Sequence, residues 1–69
     1  MNGPSTSKEQ ATKHLYTKII KKIFGTPDKR AKELASKLYE QILAHGGNPH
    51  NTEDIEITIR VVVGKWLVK

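Results

Sequence analysis

The stretch Ile55-Glu56-Ile57-Thr58-Ile59-Arg60-Val61-Val62-Val63 decides how this chain is read. Its odd positions are all aliphatic, and Glu56, Thr58 and Arg60 alternate with them. Alternation at period two with β-branched residues is the signature of a half-buried strand. Gly64-Lys65 follows, and glycine at the first central position suits a tight hairpin turn. Trp66-Leu67-Val68 then predicts a short return strand, with Val63 facing Trp66 and Val61 facing Val68. That return strand is too short to reach residues 55–59. Strand amides need partners, so this reading expects a second chain to supply the missing edge.

The same residues admit another reading, a third helix over 53–63. Thr52, Glu53 and Asp54 form a fair helix start, and Ile55, Ile59, Val62 and Val63 fit a helical stripe. The β-branched run weighs against it, because such side chains lose rotamer freedom in a helix.

The preceding two thirds of the chain read helical. A first helix is expected over 8–24, capped by Thr6 or Ser7 in the pattern Thr6-x-x-Glu9 or Ser7-x-x-Gln10. Leu15, Tyr16, Ile19, Ile20, Ile23 and Phe24 make its apolar face. Lys18, Lys21, Lys22 and His14 fall opposite, with Lys13 at a border. Gly25 ends it. A second helix is expected from Pro27 or Asp28 to about His45, with Thr26 as its cap and Pro27 at the first helical position. Its buried stripe is Ala31, Leu34, Ala35, Leu38, Tyr39, Ile42 and Leu43, and Glu33 is placed to pair with Lys37. Gly46-Gly47-Asn48-Pro49 stops it, and residues 46–53 form a loop.

The expected architecture is therefore α+β: a helical hairpin on a C-terminal strand or short β-hairpin, with the sheet completed by homodimerisation. The alternative is an all-α chain of three helices. Residues 1–7 are expected as a disordered tail, with no signal-peptide pattern, and residues 8–69 as one small domain. Sixty-nine residues bury a thin core, so such chains usually need a staple. Cysteine is absent, which leaves oligomerisation rather than disulfides or thiolate zinc.

Net charge is +5, and its placement is uneven. Residues 1–30 hold seven bases and two acids; residues 31–69 hold five of each. The whole excess sits on the first helix and the turn after it, which points to an acidic partner. Lys13, Lys18, Lys21, Lys22, Lys29 and Arg30 are the candidate phosphate contacts, giving affinity without sequence reading. Arg60, with Thr58, is a further candidate from the outer face of the strand. The plain alternatives are a solvated lysine face and an Arg60 paired with Glu56.

A second functional class is a protein-interaction module, an inhibitor or adaptor using the strand edge. Ile55, Ile57, Ile59 and Trp66 are its candidate interface residues, although a lone Trp in so small a domain more often closes the core. A metal site built on His45 and His50 with Glu53 or Asp54 matches no known ligand spacing. No catalytic or cofactor motif is present, and a chain of this size has little room for a substrate pocket. The expectation is a non-enzymatic binding protein without cofactor or metal, in the cytoplasm, or in the nucleoid or nucleus if it binds nucleic acid. No run of apolar residues is long enough to span a bilayer.

Glu53-Asp54-Ile55-Glu56-x-x-x-Arg60 resembles the start of the last helix of archaeal-type histones. Lys18-Ile-Ile-Lys-Lys-Ile23 and Leu38-Tyr-Glu-Gln-Ile42 are similar to pieces of histone helices one and two. That resemblance implies an all-helical, DNA-packaging dimer. The chain departs from the family in length: only 27 residues lie between Phe24 and Thr52, and Gly46-Gly47 interrupts what should be a long central helix.

Overall fold

A computed structural model describes residues 7–51 and 53–68. The expected tail and the cap at Thr6 fall on residues 1–6, and the expected helix start at Thr52 on that residue; all lie outside the described residues. Ser7, expected in the tail, is already helical.

Helix α1 spans Ser7–Phe24 and α2 spans Asp28–Ala44. They form the expected hairpin. Gly25 closes α1 at φ 67°, donating its N–H to the Lys21 carbonyl at 2.9 Å. That left-handed conformation is where glycine costs least. At the far end of α2, Gly46 adopts φ 78°; its N–H reaches the Leu43 carbonyl at 3.0 Å, and the Gly47 N–H reaches the Ile42 carbonyl at 2.9 Å. These two bonds are a Schellman motif, satisfying carbonyls the helix leaves over.

The start of α2 differs from expectation. Pro27 precedes the helix in extended conformation, φ −61° and ψ 156°, and its carbonyl accepts from Ala31 N–H at 2.9 Å. Thr26 therefore lies one residue too early to cap. Its hydroxyl is buried and has no hydrogen-bond partner among the described residues. Glu33 also pairs with Arg30, at 3.6 Å, rather than with Lys37.

The C-terminal segment overturns the α+β expectation. Among the described residues there is no strand. Ile55–Thr58 is α-helical, Ile59–Val63 is π-helical and Gly64–Leu67 is α-helical. The three run on without a break as one helix over 55–67, here α3. Gly64 makes no turn, with φ −58° and ψ −41°, and Trp66 and Leu67 continue the helix instead of returning as a strand. The all-α alternative describes the fold.

Packing explains why. Ile55, Ile59 and Val63, four residues apart, are all buried against α1 and α2. Burying each such side chain stabilises by roughly 1.5–3 kcal/mol. The helix-propensity cost of a β-branched residue is at most about 0.7 kcal/mol, so burial wins. A spacing of four drifts around an ordinary α-helix. The wider π turn, with i→i+5 bonds, holds Ile59 and Val63 on the inner face. Helix formation also satisfies the backbone within the chain, which removes the reason for borrowing an edge from a second copy.

The core consists of Tyr16 and Ile20 from α1, Ala31, Leu34, Ala35, Leu38 and Tyr39 from α2, and Ile55, Ile59 and Val63 from α3. Ile19, Ile23, Phe24, Ile42, Val62, Trp66 and Leu67 pack partly buried around it. Leu43, expected in the α2 stripe, is instead 52% exposed. The loop between α2 and α3 is pinned to the hairpin. The Tyr16 hydroxyl donates to the Pro49 carbonyl. The His50 ring lies between Thr12 Oγ1, 2.7 Å from its Nδ1, and the Tyr39 hydroxyl, 3.3 Å from its Nε2. No helix of the described residues is long and apolar enough to cross a membrane.

Candidate nucleic-acid interface

The amphipathic pattern of α1 puts its apolar residues toward α2 and α3 and turns His14, Lys18, Lys21 and Lys22 outward, all exposed. Lys18 and Lys22 stand four residues apart, so both rise from one side of the helix. Neither has a carboxylate within ion-pair distance among the described residues. Lys22 shares a shallow groove with Glu53 and Glu56 on the α3 side. Lys21 reaches across the turn to Asp28 at 3.1 Å, and Lys32 reaches the other oxygen of the same carboxylate at 3.3 Å. Hydrogen bonds from Lys21 and then Lys32 hold the Asp28 carboxyl below the usual carboxylate range.

Lys13 belongs to a different setting. It is half-buried, paired with Glu9 at 3.0 Å, and its Nζ lies 5.2 Å from the centre of the Tyr39 ring. Its charge is already engaged twice, so it adds little to an outward-facing surface. Lys29 and Arg30 are exposed in the first turn of α2; Arg30 pairs with Glu33. Lys21, Lys22, Lys29 and Arg30 thus flank the α1–α2 turn, with Lys21 and Arg30 already in ion pairs; Lys18 stands one turn further back on α1, and Lys13 is set apart by its ion pair and its contact with Tyr39.

Arg60 sits on the outer side of α3, paired with Glu56 at 3.5 Å in helical i,i+4 geometry. The pairing matches the plain alternative, but no β-ribbon exists to carry Arg60 and Thr58 into a groove. The proposed partner-binding residues separate as well. Ile55 and Ile59 are core residues, 6% and 0% exposed, whereas Ile57 is 64% exposed. Trp66 is half-buried at the core margin with Lys37 Nζ 4.7 Å above its ring. The strand edge on which that interface depended is absent.

Two features had no signal in the sequence. Lys32 joins Lys13 and His14 in lining a groove of about 560 Å³ between α1 and α2. His50 acts as a peg for the loop, with its ring edge-on to Tyr39 at 5.7 Å. His45 points elsewhere, its Nε2 3.1 Å from the Gln41 side chain. Among the described residues no cluster of three His, Cys, Asp or Glu could hold a metal ion.

No family model, curated protein or solved structure matches this chain. Of the segments compared with histones, Glu56–Arg60 lies in a helix, as segments of unrelated helical proteins also do, and α2 falls short. The middle helix has 17 residues against 18 in α1, so the long central histone helix has no counterpart.

Proposed function

We propose that this protein is a small non-enzymatic nucleic-acid-binding module, an accessory or regulatory factor that grips phosphates with the outer face of α1. The observation that carries the reading is the pair Lys18 and Lys22, exposed on one side of α1 without ion-pair partners among the described residues. Lys29 adds to that positive surface at the turn, where Lys21 and Arg30 can exchange their exposed ion pairs with Asp28 and Glu33 for phosphate. The net charge of +5 arises entirely within the first 30 residues, which supports the same face. Contacts of this kind neutralise phosphate and release counterions, so they bind tightly at low salt and without regard to sequence. A cytoplasmic, nucleoid or nuclear setting fits such a role.

Fluorescence anisotropy with a labelled duplex and a labelled single strand, titrated across salt, tests it. Log affinity should fall linearly with log salt, with each phosphate contact adding about 0.9 to the slope. Lys18→Gln with Lys22→Gln should lower that slope by about 2. Lys18, Lys21 and Lys22 together changed to Glu should abolish binding. Nucleic-acid binding that survives the triple reversal would remove the basis for this face.

A further inference from the structure

We propose that α3 pairs antiparallel with α3 of a second copy of this chain, through Ile57 and Val61. These two residues are 64% and 52% exposed, four positions apart on the helix side that faces away from the core. Val61 lies within the π-helical segment Ile59–Val63, and exposed Lys65 follows four residues on. Together they make a small exposed apolar strip on α3.

The order of charges along α3 says which partner. Exposed Glu56 stands in its first turn, exposed Arg60 near its middle and exposed Lys65 in its last turn. A two-fold axis level with Ile59 places each Ile57 opposite the partner's Val61. Glu56 comes within about 3 Å, two residues of helix rise, of the level of the partner's Arg60. An isologous contact makes every such pairing twice. The Glu56–Arg60 pair within one chain, at 3.5 Å and exposed, is weak and readily exchanged for its intermolecular equivalent. A parallel arrangement would instead set acid beside acid and base beside base. The patch is small, so the dimer is weak and concentration-dependent. This interface lies on α3 and does not depend on the phosphate-binding reading of α1.

Sedimentation equilibrium across a wide concentration range tests the pairing. The weight-average mass should climb from one chain toward two. Val61→Glu, at an exposed position, should keep the helical circular dichroism and stay monomeric throughout. Glu56→Arg should weaken association roughly tenfold, since two attractive contacts become repulsive. Adding Arg60→Glu should restore it. A wild-type chain that stays monomeric at every concentration overturns the proposal. So does a Val61→Glu chain that still dimerises, or a double charge swap that stays as weak as the single one.

Discussion

Ile57 and Ile59, two residues apart on α3, face opposite ways: Ile59 is fully buried between the other two helices and Ile57 is 64% exposed. Only every second residue of the odd-numbered aliphatic series reaches the core. Ile59→Ala should therefore destabilise by about 2–5 kcal/mol, and Ile57→Ala by less than about 0.5 kcal/mol. Urea unfolding at low protein concentration measures both. Similar losses at the two sites would mean that both side chains are packed.

Gly64 lies inside α3 at φ −58°, and a methyl group there would meet only the Phe24 ring at 3.9 Å. Gly64→Ala should thus raise stability by about 0.5–1 kcal/mol, through helix propensity and a less free unfolded chain. Gly25, at φ 67°, is the contrasting case. Gly25→Ala has open space around it but forces a side chain into the left-handed region, and should lower stability by roughly 1 kcal/mol. Thermal unfolding of the two variants should move in opposite directions.

The Tyr16 hydroxyl is buried and tied to the Pro49 carbonyl. Burial, then the neighbouring Tyr39, pushes its pKa up from 10.0 to about 12. The neutral phenol is the form the fold prefers. Its contribution is intact below pH 10 and is lost as pH rises through about 12. By the top of that window the loss should reach roughly 2 kcal/mol. Tyr16→Phe should flatten this alkaline loss. It should also cost about 1–3 kcal/mol at neutral pH by stranding the carbonyl. Stability against denaturant measured from pH 8 to 12 checks both.

Thr26 carries a buried hydroxyl with no partner among the described residues. Thr26→Val keeps the shape and removes the unpaired polar group, so stability should hold or rise by about 1 kcal/mol. A loss above about 1 kcal/mol would show that the hydroxyl is hydrogen-bonded in solution.

Much of this architecture is written locally. The apolar stripes of α1 and α2, the stops at Gly25 and Gly46, and the outward direction of Lys18, Lys21 and Lys22 follow from spacing and backbone conformation alone. These features depend on contacts within a few residues, so they are legible in the chain itself. The exposure of the basic residues on α1 was legible for the same reason, except at Lys13. There the partners are Glu9, one turn away, and Tyr39 on the next helix.

The conformation of residues 55–67 was decided only by tertiary structure. A period of two contains a period of four, so Ile55-Glu-Ile-Thr-Ile-Arg-Val-Val-Val63 satisfies a strand and a widened helix equally well. Local propensity favours the strand by a few tenths of a kcal/mol per residue. The groove formed by α1 and α2 buries Ile55, Ile59 and Val63 with the segment helical, and that burial is larger than the difference in propensity. The pegging of the loop by Tyr16, Thr12, Tyr39 and His50 is likewise tertiary. It joins residues up to 38 positions apart, a separation at which no periodicity signals contact.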